Sequence, residues 1–395
     1  MRSFGLILVA LCFLVSIYAP GLREDLFIID DLDLILAPMV RAPFDFSLLK
    51  TWLTPGSQID FYPVRDLTYW LDIHLFGGDP SGVNGLVYRL QNFFWVGISS
   101  GLIYLILKEV KLKKIYALLG SLVWMLHPVH SELLMWPSAR KDVLAIAFGL
   151  AAAYFYIKHF QDLPAKKAEQ KKYAFVKEYR WGILSLAAFC LGLLSKVSIA
   201  LLPVALPMVG LWAKEGKVIW NKRNLGIWVP AILMSGAFTL GQMSFYSHVN
   251  DMRFSYSIHY KIQGTMIALG RSFLGWFAPS LNAVDVENWG NWVDLNHAYL
   301  IPGVFIFVSL LGLTAYVLYQ RRTLDLFILL AFWLTYLPIC GWVFPHRNFY
   351  SVRYFELAFL LFWIRICILL AQNSQYWVKA AWVGMIVGLC WADFS

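Results

Sequence analysis

The sequence predicts an all-α polytopic membrane protein, and three observations carry that expectation: its apolar content, the placement of its basic residues, and the placement of its acidic ones. Of 395 residues, 59% are hydrophobic and only 14% are charged, with a mean hydropathy of +0.61. A soluble domain carries about 25% charged residues, so this chain lacks the polar groups to cover a water-facing surface. Each membrane-spanning helix needs roughly 17–25 apolar residues, because only a helix or a closed barrel satisfies its own backbone hydrogen bonds in lipid. The sequence offers many such runs.

The net charge of +9 does not point to nucleic acid. Lysine and arginine collect in short loops between apolar runs, at 108–114, 158–180, 214–223 and at Arg321-Arg322. That is the positive-inside pattern, which orients helices and calls for no polyanionic partner. The cysteines, Cys12, Cys190, Cys340, Cys367 and Cys390, sit singly inside apolar runs without metal-ligand spacing, so buried thiols are expected. Residues 4–18 have the look of a signal peptide, but Ala19-Pro20-Gly21 is a poor cleavage site and an uncleaved first span is favoured.

Placing every basic loop on the cytoplasmic side gives about eleven spans in one transmembrane domain, 1–395. Span 1 covers 4–19 and is followed by a long extracytoplasmic loop, 20–85. Span 2 covers 86–107, and spans 3 and 4 form a hairpin whose outer tip is 127–142. A second hairpin carries Lys196 at its tip. Span 7 covers 225–246, and spans 8 to 11 cover 299–319, 324–342, 353–371 and 376–391. If 264–280 crossed fully, Arg321-Arg322 would face outward, so 247–298 is expected to be an outer or re-entrant segment. The N-terminus is then cytoplasmic and the C-terminus extracytoplasmic. The loop 20–85 holds ten of the chain's 24 acidic residues, and its short apolar runs suggest interfacial amphipathic helices.

Several constellations could carry chemistry. Asp30-Asp31 ends a hydrophobic approach just after span 1, where unequal solvation would split two carboxylate pKa values and leave one as a general base. From spacing alone an acidic helix cap is the favoured reading. Arg65-Asp66 suits a structural pair. At the tip 127–142, His127, His130 and Glu132 are the place to look for a metal, although Pro128 breaks the helical face between them. Arg140 and Lys141 suit an anionic headgroup, or with Asp142 the anchoring of a helix end. Lys196 stands alone between apolar runs, where an ionisable residue implies function or a snorkelling tip. Arg271 and Arg353, with Tyr354 and Glu356 beside the latter, add cations on the same expected side. Carboxylates facing several cations suit a reaction whose leaving group is an anionic phosphate.

The run Leu126-His127-Pro128-Val129-His130-Ser131-Glu132, continuing Trp136-Pro137-Ser138-Ala139-Arg140-Lys141-Asp142-Val143-Leu144, resembles a segment of the transmembrane and tetratricopeptide-repeat O-mannosyltransferases and their bacterial relatives. Asp30-Asp31, Leu194-Ser195-Lys196 with Leu202-Pro203, and Arg353-Tyr354 match in the same order, as does the pattern from Tyr62 and Leu67 to Gly78, Pro80 and Gly82. The likeness departs at Asn84 and Gln91, where relatives are His-rich, and the tetratricopeptide tail has no counterpart.

That family belongs to the GT-C superfamily. The resemblance implies a GT-C-like, inverting glycosyltransferase of the cell envelope, with a polyprenyl-phosphate sugar donor and a protein or glycan acceptor. It places the enzyme in a membrane, expected to be a bacterial inner membrane, with its active site outside. Asp31, ahead of Asp30, is the expected base. Arg140, Lys141, Lys196, Arg271 and Arg353 are expected at the donor phosphate. His127, His130, Glu132, Arg65, Asp66, Asp142 and Tyr354 are expected to shape the site. No cofactor is called for, with a divalent ion left open. The rival reading is a non-catalytic, lipid-binding or scaffold subunit of an envelope complex. A transporter would need paired halves with broken helices, and no internal repeat is visible.

Overall fold

The structure is a computed structural model in which residues 2–26, 31–54, 61–81, 84–161, 174–205, 222–249, 258–277, 299–336 and 355–372 are described. Among these residues the regular structure is helical throughout. The long helices are α1 (Arg2–Ile17), α6 (Leu86–Glu109), α7 (Lys114–Met125), α9 (Arg140–Gln161), α10 (Ala174–Leu193), α11 (Lys222–Val249), α12 (Ile258–Phe277), α13 (Leu300–Tyr319), α14 (Thr323–Tyr336) and α15 (Glu356–Gln372). Between α1 and α6 lie four short ones: α2 (Asp31–Ile35), α3 (Pro38–Arg41), α4 (Phe46–Leu53) and α5 (Pro63–His74). A fifth, α8 (Ser131–Met135), sits between two 3-10 turns, Pro128–His130 and Pro137–Ala139.

Among the described residues four stretches, Leu86–Glu109, Pro137–Gln161, Asn224–Ser244 and Leu300–Tyr319, are long and apolar enough to cross a membrane. They fall on the expected spans 2, 4, 7 and 8, whereas span 11 lies outside the described residues. The protein is an all-α membrane protein. The segment 264–277, within the stretch expected to be outer or re-entrant, is part of helix α12.

Helices in lipid gain little from apolar burial against one another, so they associate through close packing and hydrogen bonds at small residues. The chain follows that rule. α1 lies on α6, where a Cβ on Gly97 would meet Leu11 at 2.7 Å. Trp363 of α15 donates to the carbonyl of Gly120 on α7 at 2.9 Å. Ser185 of α10 donates to Ala152 of α9 at 2.8 Å. α12 and α13 touch backbone to backbone: a Cβ on Gly303 would fall on the Met266 carbonyl, and one on Gly270 on the Tyr299 carbonyl.

The short helices gather at one end of the bundle, where α6 and α9 start and α7 and α10 finish. Asp45 caps α4 by accepting from the Leu48 N–H at 2.6 Å. α5 joins them to the bundle: Val64 donates its N–H to Leu194 at 3.2 Å, and Tyr69 donates to the Pro137 carbonyl at 3.0 Å. Gln242 of α11 donates to Phe61 at 2.7 Å. At the opposite end Lys158 pairs with Glu109 at 3.2 Å and Arg365 with Asp325 at 2.6 Å.

Candidate functional site

Three arginines and three aspartates, Arg65, Arg89, Arg140, Asp31, Asp66 and Asp72, come together where the loop 20–85 meets the loop 127–142. Each is at most 1% exposed. Burying an ion costs several kcal/mol unless its hydrogen bonds are replaced, so such a cluster persists only where the fold supplies partners. The partners come from distant elements.

Arg140, at the first position of α9, donates from Nε to Asn92 Oδ1 at 2.6 Å and from Nη2 to Asp72 Oδ2 at 2.9 Å and the Tyr88 carbonyl at 2.7 Å. Its guanidinium lies 5.3 Å from the centre of the Tyr69 ring. Its Nη1 is buried without a hydrogen-bond acceptor. Asn92 turns its amide nitrogen to the Leu133 and Trp136 carbonyls, both at 3.0 Å. Burial raises the Asp72 carboxyl to about 6, against the pull of Arg140. Arg65 bonds Asp66 through Nε at 2.8 Å and Nη2 at 2.7 Å, as a structural pair would.

Asp31 opens α2 and is fully buried. Its Oδ1 accepts from the Ser138 N–H at 2.7 Å, which fastens the start of α2 to the turn Pro137–Ala139. Asp30 lies outside the described residues, as do Arg353 and Tyr354.

Lys196 follows the end of α10 and pairs with Asp142, both buried. Lys141 and Glu132 are half-buried. Arg271 is 8% exposed on α12 and lies 5.9 Å from the Tyr299 ring.

The two histidines occupy a separate aromatic box. His127 Nδ1 accepts from the Val129 N–H at 3.1 Å, which leaves the proton on Nε2 to be donated to the Trp276 carbonyl at 2.9 Å. Both nitrogens of His127 are therefore bonded to backbone. Burial, with His130 nearby, lowers His127 to about 3. His130 Nδ1 lies 3.3 Å from Glu356 Oε1, and both side chains are buried. Rings of Trp124 at 4.5 Å and Trp276 at 5.9 Å line His130. Among the described residues no group of three or more His, Cys, Asp or Glu side chains is placed to hold a metal.

The structure thus brings Asp31, Arg65, Asp66 and Arg140 into one knot, with Asp142 and Lys196 paired to each other and His127 and His130 in the box. Sequence reasoning missed Arg89, Asn92, Tyr69 and Tyr88, and did not pair Asp72 with Arg140. Arg89 carried a usable signal, since an arginine at the head of an apolar run is costly without partners. The three others are too ordinary in kind to stand out.

No protein-family model matches the sequence, and no curated protein does either. Among solved structures, the chain is similar to the oligosaccharyltransferase of Archaeoglobus fulgidus, crystallised tethered to an acceptor peptide that contains a sequon. The TM-score is 0.51 at 12% identity, and the alignment covers 100% of this chain and 54% of the other. The chain therefore spans about half the length of its structural neighbour. At this identity the likeness is one of fold.

Proposed function

We propose that the protein is a membrane glycosyltransferase that moves a sugar from a polyprenyl-phosphate donor to an acceptor hydroxyl, with inversion. The observation that supports it most is the GT-C-like fold together with the carboxylate and cation knot where loops 20–85 and 127–142 meet. The acceptor peptide held by the structural neighbour favours a protein acceptor here. In this reading the chain has about eleven spans, with the N-terminus cytoplasmic and both the C-terminus and the site extracytoplasmic, in a bacterial inner membrane.

In the reaction, a carboxylate takes the acceptor hydroxyl proton as that oxygen bonds the anomeric carbon. The bond from that carbon to the phosphate oxygen breaks, and the lipid phosphate leaves as an anion. Asp31 is buried and bonded to Ser138, which favours it as the residue that fixes the pair and leaves Asp30 as base. Lys196, Lys141, Arg271 and Arg353 are the proposed cations for the leaving phosphate, with Asp142 setting Lys196. Arg140 contributes through its unbonded Nη1, its other nitrogens being committed.

The burial of Asp31 and Arg140 also suits the scaffold reading, in which the knot only holds the loops together. Transfer assays with the purified protein in lipid nanodiscs and polyprenyl-phosphate sugars separate the two. Asp30→Asn is expected to lower transfer by a factor of about 10²–10⁴ while the protein stays folded. Asp31→Asn is expected to lower the thermal midpoint as well. No turnover of any lipid-linked sugar by the wild type would leave the scaffold, and an unchanged rate in both variants would overturn the assignment of the base.

A further inference from the structure

Arg89 sits in the first turn of α6, 1% exposed, and reaches two separate stretches of chain. Its Nη1 donates to the carbonyls of Leu22 (3.1 Å) and Glu24, and its Nη2 to that of Asp25 at 2.9 Å. Its Nε donates to the Met135 carbonyl at 2.9 Å. The first three belong to the chain leaving α1 toward Asp30-Asp31. Met135 closes α8 and stands three residues before Ser138, whose N–H holds Asp31. Gly85 completes the arrangement. Its N–H donates to the Glu24 carbonyl at 3.2 Å, and a Cβ there would meet both Arg89 and that carbonyl.

We propose that Arg89 is the residue that positions Asp31 of the Asp30-Asp31 pair, by clamping the chain ahead of it against the chain that receives the Asp31 carboxylate. The inference rests on reading that pair as the acidic centre of the proposed transferase. Asp31 is held from two directions: Arg89 fixes residues 22–25 ahead of it, and Ser138 holds its carboxylate. A lysine would supply the charge but not the fork, because one ammonium cannot direct bonds at four carbonyls in two directions.

The clamp also carries charge. Among the carboxylates near Arg89, Asp31 bears most on it, ahead of Glu24 and Asp25. Among the described residues, Asp31 shares the surroundings of Tyr69 with Arg65 and Asp66 on α5 and Arg140 on α9, and Asp33 lies on its own helix. Arg65 and Arg140 already share bonds with Asp66 and Asp72. Arg89 donates to the carbonyls of Leu22, Glu24, Asp25 and Met135 and brings its positive charge close to Asp31.

Full-length protein in nanodiscs, as wild type, Arg89→Lys and Arg89→Gln, tests this with three readouts. Hydrogen exchange followed by mass spectrometry should show residues 22–36 and 133–139 exchanging about tenfold faster in both variants, with α9 and α10 unchanged. In transfer assays kcat should fall on the order of tenfold to a hundredfold in Arg89→Lys, with donor KM within about twofold. The acid limb of the kcat/KM profile should move to higher pH in Arg89→Gln and stay in place in Arg89→Lys. Wild-type exchange at both segments in the lysine variant would overturn the clamp, as would a wild-type kcat. If Arg89→Gln does not fold, the lysine variant decides. If the wild type transfers no sugar, the transferase reading fails, and exchange alone decides whether Arg89 holds the two segments together.

Discussion

The charged knot around Arg140 and the histidine box around Trp276 are both buried at the same end of the bundle, yet they are built on opposite principles. In the knot nearly every polar atom of Arg140 and Asn92 meets a directed partner between 2.6 and 3.0 Å. In the box the His130 and Glu356 side chains approach at 3.3 Å, and neither makes a hydrogen bond. Aromatic rings make up the rest of the wall, with Trp276 stacked on Phe359 at 5.5 Å. The knot holds ions in place through directed bonds, whereas the box surrounds its polar groups with aromatic rings. Removing one member should therefore be costly in the knot and mild in the box.

The largest effect is expected for Arg140→Met, which strands Asp72 beside Asn92 and the Tyr88 carbonyl. Breaking a buried pair on one side costs about 3–5 kcal/mol, read as a lower thermal unfolding midpoint in detergent. Adding Asp72→Leu should recover most of the loss. A single variant as stable as wild type would erase the contrast. Glu356→Gln in the box should change stability by only about 1 kcal/mol in either direction, because it keeps the shape and removes no hydrogen bond. A loss as large as that of Arg140→Met would place the box in the same class as the knot.

Acid sharpens the comparison further. The folded pKa of Asp72 is raised from 3.8 to about 6, so its contribution is full below 3.8 and is lost as pH rises through 6. The folded pKa of His127 is lowered from 6.5 to about 3, so its contribution is full above 6.5 and is lost as pH falls toward 3. Between about pH 4 and 6 the two slopes oppose each other. Asp72→Asn should make acidification more damaging, and His127→Gln should make it less so. Thermal midpoints at pH 7, 6, 5 and 4 measure both, and parallel profiles for the two variants would refute the assignment.

Much of this was legible before any coordinates. Apolar runs bounded by basic loops located α6, α9, α11 and α13, because lipid fixes the length and composition of a spanning helix. Arg65-Asp66 read as a pair, since its members are adjacent. What stayed hidden were partners far apart in the chain. Lys196 stood alone by sequence but meets Asp142, and Arg140 suited a headgroup but meets Asp72 and Asn92. Periodicity tells which face of a helix is apolar. It does not say which loop folds back over a polar residue at the helix end. His127 and His130 looked like possible ligands because their nitrogens were unassigned, and the turn at Val129 together with the approach of α12 assigned those of His127 to backbone.

The long separations between partners also fix an order of assembly. When Arg89 is synthesised, the carbonyls of residues 22, 24 and 25 already exist, but Met135 is 46 residues away. Asp72 waits 68 residues for Arg140, and Asp142 waits 54 for Lys196. Until each partner arrives, the waiting carboxylate or guanidinium must stay hydrated at the membrane boundary, since burial alone would be too costly. Biogenesis thus proceeds with the loop 20–85 held open, and the end of the bundle dries from the N-terminal helices onward as each later hairpin delivers its counter-charge.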